Sequence, residues 1–330
     1  MSFSISIVVC THNGANRISN CLSSLVSQEN SPEYEILVVD NASTDGTGEL
    51  VKTQLNSSFP LGGWSVIKEE KPGLLYARLA GLQAARYDWV LFCDDDNVLF
   101  SDFLFQCQQV LSRNSGIGVL GSLGIPEFLG TKPGWFERYS SSYAVGPQQV
   151  ENSGGKRLVH VYGACSTYLR NPLLDLFQKG FNPVLSGRKG KQMSAGDDVE
   201  WCWLMQLMGH KVAFSEKLRF YHQIPASRLT WDYYLTLKRG ISGSVGLLSA
   251  YTFYFSSSFR PLIGFIFKYF SSTSKSVLLY IKYSILWMGK PSIPENQLSF
   301  AILESQMRAF LSQGKVATTH FRQLKKHFGS

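Results

Sequence analysis

The first hundred residues alternate short β-branched runs with amphipathic stretches, and that alternation constrains the fold more than any other feature of the chain. Runs at 3–10, 35–39, 64–68 and 89–93 have strand character, while 18–28, 46–55 and 74–85 carry apolar residues at helical spacing. Continuously apolar strands separated by helices require a mostly parallel sheet covered by helices. The order βαβαβαβ is that of an α/β, nucleotide-binding style of domain. With 44% apolar, 17% charged and 13% aromatic residues among 330, disordered and fibrous classes are excluded.

In an open parallel sheet, ligands collect at the carboxyl ends of the strands. Polar clusters fall at those ends: Thr11-His12-Asn13-Gly14 after the first strand, Asp40-Asn41-Ala42-Ser43 after the second and Asp94-Asp95-Asp96-Asn97 after the fourth. Thr, Asn and Asp are also ordinary turn and cap formers, which accounts for 41–46 equally well. Three adjacent carboxylates repel one another, and a bound divalent cation best explains them. A hard cation with open positions suits a substrate diphosphate. The chain has no GxxxxGK[ST] loop, no GxGxxG after its first strand, and neither HExxH nor GxSxG.

Residues 4–14 (SISIVVCTHNG), 36–47 (ILVVDNASTDGT), 72–81 (PGLLYARLAG) and 91–97 (LFCDDDN) together resemble the family 2 glycosyltransferases. Ser194-Ala195-Gly196-Asp197-Asp198-Val199-Glu200 resembles that family's Gly-Glu-Asp motif at a helix start, with Asp197 in place of the usual Glu. The resemblance implies a GT-A fold with a Rossmann-like nucleotide-binding half (1–100), an acceptor-binding and catalytic half (101–240) and a helical C-terminal extension (241–330). It implies an inverting enzyme that moves a sugar from a nucleoside-diphosphate donor, usually a UDP-sugar, to a hydroxyl of a glycan or lipid-linked acceptor.

By the same resemblance Thr11 and Asp40 contact the base and ribose, Arg78 lies near the nucleotide, Asp94 helps hold the nucleotide sugar, and Asp96 holds Mn²⁺ or Mg²⁺. Asn13 and Asp95 complete the nucleotide-binding set, and His12 lines it. Asp198 matches the catalytic base. Asp197, with its shorter reach, is expected to position the acceptor. His222 is either a second metal ligand or a strand-end histidine bonded to backbone. Trp135 and Trp201 are candidates for stacking on a sugar, with a core role as the alternative. Gly163, after an apolar run at 158–162 expected as a strand, would let a sugar approach the backbone.

Beyond residue 102 glycine and proline punctuate the chain, from Gly116 to Gly134 and at Gly154-Gly155, and antiparallel strands with substrate loops are expected. Residues 201–330 hold 16 Lys and Arg against 4 Asp and Glu, leaving 16 against 20 for residues 1–200. The basic residues are scattered among Phe, Tyr, Leu and Ile, which suits an anionic membrane surface better than nucleic acid. The run 241–259 has no charge but is rich in Ser and Thr, and 261–270 and 277–288 are each interrupted by a lysine. Interfacial helices are expected there, peripheral on the inner face of the cell membrane, with packing between copies of the chain as the competing account. Residues 297–328 suggest one or two amphipathic helices. Six cysteines without a CxxC pair suggest buried thiols, and the N-terminus lacks the pattern of a signal peptide, so a cytoplasmic location is expected. A nucleotidyltransferase would need a more Gly-rich, basic loop after the first strand. An inactive glycan-binding scaffold of the same fold would not need Asp96 and Asp198.

Overall fold

The computed structural model describes residues 3–59, 63–148, 150, 157–188, 195–257, 261–287 and 294–329. Gly154-Gly155, Ser194, and the last residues of the 241–259 and 277–288 runs lie outside them. The described chain forms two compact units, one of residues 1–180 and 201–229, the other of 181–200 and 230–330.

In the first unit β1 (Ser4–Thr11), β2 (Glu33–Asn41), β3 (Trp64–Glu69) and β4 (Trp89–Asp94) alternate with α1 (Ile18–Val26), α2 (Thr47–Ser58) and α3 (Leu74–Ala84). There follow β5 (Asn97–Leu99), α4 (Phe103–Arg113), β6 (Ile117–Leu129), α5 (Phe136–Tyr139), β7 (Ser166–Leu169) and α6 (Arg170–Gln178). Helix α7 (Asp197–Leu207) has its first turn in the second unit and the rest in the first, and leads into β8 (Lys211–Pro225). The strands form one sheet in the order β3-β2-β1-β4-β7-β6-β8-β5. Strands β1 to β4 are mutually parallel, β7 is antiparallel to β4 and to β6, β6 is parallel to β8, and β5 is antiparallel to β8. The sheet is therefore mixed and mostly parallel, as the alternation requires.

From β1 the chain builds outward through β2 to β3, then returns to place β4 on the other side of β1. That reversal makes a switch-point crevice at the ends of β1 and β4. Register places Thr11 beside Asp40 and Cys10 beside Asp94, so the three expected polar clusters open at one edge of the sheet. Below them Ile5, Ile7, Val9, Ile36, Val38 and Leu91 are fully buried with residues of α1, α2 and α4.

Three expectations change. Residues 158–162 are not a strand. Side-chain amides take the place of a ladder there: Val159 N–H donates to Gln206 Oε1, Gln206 Nε2 donates back to Val159 O, and Tyr162 N–H donates to Gln148 Oε1. The strand of this region is β7, four residues further on. The glycine-punctuated stretch after 116, expected to give antiparallel strands and loops, opens with one 13-residue strand, β6, that is antiparallel to β7 but parallel to β8, and its glycines let Met205, His210 and Val161 pack against its backbone. His222, weighed as a strand-end residue, lies three residues inside a 15-residue strand, β8.

The second unit contains α8 (Trp231–Ser242), α9 (Val245–Ser256), α10 (Leu262–Leu286) and α11 (Pro294–Phe328). Thr230 caps α8 by accepting from Tyr233 N–H. Tyr251, Tyr254, Phe265 and Phe321 form the unit's aromatic core. The tail is one 35-residue helix. No described helix is long and apolar enough to cross a membrane.

Candidate active site

The loops after β1 and β2 are bonded to each other before any ligand is considered. Asn13, in the left-handed region at φ 50°, donates its N–H to Ser43 Oγ and accepts from Thr44 N–H. Gly14 N–H donates to Thr47 Oγ1, and Ala15 N–H to Asp45 Oδ2. The buried Asn41 donates to the Glu69 and Lys71 carbonyls and accepts from Gly73 N–H, which fixes the loop before α3. Asn41, Ser43, Thr44 and Asp45 thus have the turn-forming role. Asp40, half-buried, accepts from Ser43 N–H, and His12 Nδ1 bonds the Asn41 carbonyl at 2.7 Å.

The three consecutive aspartates are handled separately. Asp95 is gripped on both oxygens by Arg17, with Nε to Oδ1 at 2.7 Å and Nη2 to Oδ2 at 2.8 Å, and Thr11 Oγ1 donates to Oδ2 at 2.6 Å. A side chain at Gly14 would displace that contact, since its Cβ would lie 2.2 Å from Thr11 Oγ1 and 2.6 Å from Asp95 Oδ2. Burial and the neighbouring Asp96 raise the Asp95 carboxyl in spite of Arg17. The Thr11 hydroxyl and Asp95 are thus bonded to each other, and both residues are buried.

Asp96 meets His222 near the end of β8 and Arg228 in the short turn that follows it. Strand β5 pairs with β8 so that Asn97 lies opposite His222, and Gln223 N–H donates to the Asp96 carbonyl. His222 Nε2 stands 3.7 Å from Asp96 Oδ1, and Arg228 Nη1 donates to Oδ2 at 2.8 Å. Burial works to raise the Asp96 carboxyl, but His222 and Arg228 outweigh it and hold the group well below the usual carboxylate range. Repulsion among the aspartates is thus offset by two protein cations, Arg17 and Arg228. Neither arginine stands out in the sequence. Arg17 follows the polar loop by a few residues, and Arg228 is 132 positions from its partner.

The His222 ring has a defined orientation. Its Nδ1 lies 2.8 Å from the Tyr143 carbonyl, which only accepts, so Nδ1 carries the proton. Nε2 is then the ring nitrogen that faces Asp96 Oδ1. The carbonyl fixes the tautomer and orientation of the ring, as is common for histidines whose other nitrogen meets a ligand. Among the described residues no cluster of three or more His, Cys, Asp or Glu is placed to hold an ion. The chemistry of Asp96 and His222, a carboxylate oxygen and an imidazole nitrogen facing each other at 3.7 Å, is compatible with a divalent cation such as Mn²⁺ or Mg²⁺.

Asp94, half-buried, ends β4. Arg78 is buried on α3, with its guanidinium 5.8 Å from the centre of the Phe92 ring. Gly163 is buried, followed by Cys165 in the left-handed region, whose carbonyl accepts from Ser122 Oγ. Trp135 is half-buried beside Phe136. Trp201 is 1% exposed and packs against Phe92, Tyr168 and Phe177. A ring enclosed in this way has no face left for a sugar, so Trp201 belongs to the core.

Asp197 and Asp198 open α7 in the second unit, after Gly196 at φ 103°. Acidic residues in a first turn are favoured by the helix dipole. Asp197 is buried and Asp198 half-buried. In the same turn the fully buried Glu200 accepts from Val184 and Leu185 N–H and from Tyr251 Oη at 2.6 Å. This anchor of the turn had no signal beyond its place in the acidic motif.

Residues 6–177 match the family model described as Glycosyl transferase family 2. The chain belongs to this family. An uncharacterized glycosyltransferase of Bacillus subtilis, YfnE, is 35% identical over 99 residues, 30% of this chain and 24% of the relative. Glycosyltransferase AglE of Haloferax volcanii is 27% identical over 213 residues, 64% of each. The chain thus spans under two thirds of the length of these relatives. Among solved structures, a mannosyltransferase from Pyrobaculum calidifontis in complex with GDP-Man and Mn²⁺ aligns at TM-score 0.57 and 16% identity, covering 94% of this chain and 86% of that one. TarS residues 1–349 of S. aureus with UDP-GlcNAc align at TM-score 0.51 and 17% identity, covering 99% and 93%. The fold is GT-A, a mixed sheet flanked by helices with a helical C-terminal region.

Proposed function

We propose that this family 2 protein transfers a glycosyl group from a nucleoside-diphosphate sugar, by preference a UDP-sugar, to a hydroxyl of a glycan or lipid-linked acceptor, with inversion at the anomeric carbon. The observation that carries the proposal is the pairing of Asp96 with an oriented His222 at the ends of β4 and β8. Two structures of similar fold, titled with GDP-Man and Mn²⁺ and with UDP-GlcNAc, support the donor class. The uridine preference follows the family resemblance of Thr11 and Asp40.

In this proposal Thr11, Asn13, Asp40 and Arg78 bind the nucleoside end of the donor, and Asp94 orients its sugar. Asp95 acts through Arg17 and Thr11 to hold the loop against β4. Asp96 and His222 hold Mn²⁺ or Mg²⁺, which when bound neutralises negative charge on the departing diphosphate. Arg228 adds a second positive charge beside Asp96. Asp198 accepts the proton of the attacking hydroxyl, and Asp197 positions that acceptor. In-line attack opposite the leaving group inverts the anomeric centre. Trp135 and Gly163 border the acceptor.

The test is release of nucleoside diphosphate from a panel of UDP-, GDP- and dTDP-sugars, with and without divalent cation and with simple glycosides as acceptors. Cation-dependent release from at least one donor is expected. No turnover and no binding of any sugar nucleotide would refute the proposal.

A further inference from the structure

Helix α10 is apolar on two sides, and the fold uses only one. Its buried residues, Phe265, Tyr269 and Ser276, share one side, where Phe265 stacks on Phe321 at 4.6 Å. On the other side Ile263, Phe267, Phe270, Leu278, Ile281 and Ile285 are between 48 and 69% exposed. At 3.6 residues per turn these six fall within an arc of about 80°. Isolated exposed apolar residues need no explanation, but an aligned set running the length of a helix does.

Charge distinguishes the possible occupants of this stripe. Lys268, Lys275 and Lys282 recur every seventh residue along one flank of it, all exposed, and α10 contains no Asp or Glu. Two copies packed stripe to stripe would bring these lysines together with no acidic residue on either helix to pair with them. A bilayer surface suits both halves of the pattern: Phe, Ile and Leu enter the boundary between headgroups and acyl chains, while lysine stems extend so that their ammonium groups reach lipid phosphates. The excess of 16 basic over 4 acidic residues in 201–330 adds attraction of the same sign. The same three lysines keep α10 from spanning, in agreement with the absence of any membrane-crossing helix among the described residues.

We propose that α10 is a docking helix that lies in the plane of a membrane containing anionic lipid, with Ile263, Phe267, Phe270, Leu278, Ile281 and Ile285 facing the lipid. Docking of this kind is independent of the transfer reaction, so a chain inactive as a transferase still binds the surface.

Flotation of the full chain with phosphatidylcholine vesicles, with and without phosphatidylglycerol, tests this. The protein should float with the anionic vesicles at low salt and much less with neutral vesicles or at high salt. Phe267→Ser with Phe270→Ser should lower vesicle partition by at least about tenfold, with unchanged circular dichroism and nucleotide binding. Lys268→Gln, Lys275→Gln and Lys282→Gln together should weaken the preference for anionic lipid. Failure of the unaltered protein to float with anionic vesicles at low salt would overturn the proposal. So would equal flotation of the serine variant, or a dimer in sedimentation that the serine substitutions convert to monomer while vesicles leave it intact.

Discussion

Replacing Glu200 by glutamine should change how stability depends on pH, in a direction fixed by its neighbours. The carboxyl is fully buried, accepts from Val184 N–H, Leu185 N–H and Tyr251 Oη, and lies 3.5 Å from Nε2 of the buried His320. Burial, with a contribution from Asp197, pushes Glu200 up from 4.5 to about 7, against the lowering effect of its hydrogen bonds. Burial pushes His320 down from 6.5 to about 4, against a bond with Gln323. Between pH 4.5 and 7 the folded protein keeps a proton on Glu200 that the unfolded chain releases. The stability this carboxyl contributes is therefore complete below 4.5 and is lost as pH rises to about 7, at about 1.4 kcal/mol per unit. His320 has the opposite sign: its contribution is complete above 6.5 and is lost as pH falls toward 4. Across pH 4.5 to 6.5 the two slopes cancel, with one proton held by the pair. Glu200→Gln leaves the His320 slope, so its stability relative to the unaltered protein should rise by about 3 kcal/mol from pH 4.5 to 6.5. His320→Phe, which keeps a ring against Phe181 and Tyr251, should fall by a similar amount. Urea unfolding of the three proteins at several pH values measures these differences, and titrations elsewhere cancel. Parallel pH profiles for all three would refute the reasoning.

Three further outcomes are expected. Asp198→Asn should lower kcat by about 10² to 10⁴ with donor affinity retained, read by steady-state kinetics and nucleotide titration; loss of binding in proportion to rate would make Asp198 structural. Gly14→Ala, whose Cβ would collide with Thr11 and Asp95, should destabilise the protein by about 1 to 3 kcal/mol in urea unfolding and weaken nucleotide binding through the displaced loop. Trp201→Phe should cost stability but leave the acceptor KM unchanged; a large rise in that KM at unaltered stability would return Trp201 to the acceptor site.

The sheet of the first hundred residues was legible because strands buried on both faces leave continuous apolar runs that few other structures tolerate. Its strand ends were legible for the same reason, since polar residues must begin where burial stops, at Thr11, Asp40 and Asp94. Later strands were hidden. Glycines that admit Val161, Met205 and His210 interrupt the apolar pattern of β6 and hid its bounds, and the apolar run 158–162 looked like a strand although Gln148 and Gln206 side chains satisfy its backbone. Charge balance in the site was invisible locally, because Arg228 reaches Asp96 only through the pairing of β5 with β8. The carboxylate triplet suggested a bound cation, and the structure places two arginines, Arg17 and Arg228, beside those carboxylates. The charge-free run 241–259 and the lysine-interrupted runs 261–270 and 277–288 suggested interfacial helices, whereas only the packing of Phe265 and Tyr269 showed which side of α10 is left open.

The central claim is that Asp96 and His222 couple a divalent cation to a nucleoside diphosphate. Titration of UDP and GDP into the unaltered protein, Asp96→Asn and His222→Ala, each with Mn²⁺ and with EDTA, tests it most directly. Mn²⁺ should tighten nucleotide binding to the unaltered protein by at least about tenfold, a coupling of about 1.4 kcal/mol, and that gain should vanish in Asp96→Asn and shrink in His222→Ala. Nucleotide affinity that is the same in Mn²⁺ and EDTA, or a full Mn²⁺ gain in Asp96→Asn, would contradict it.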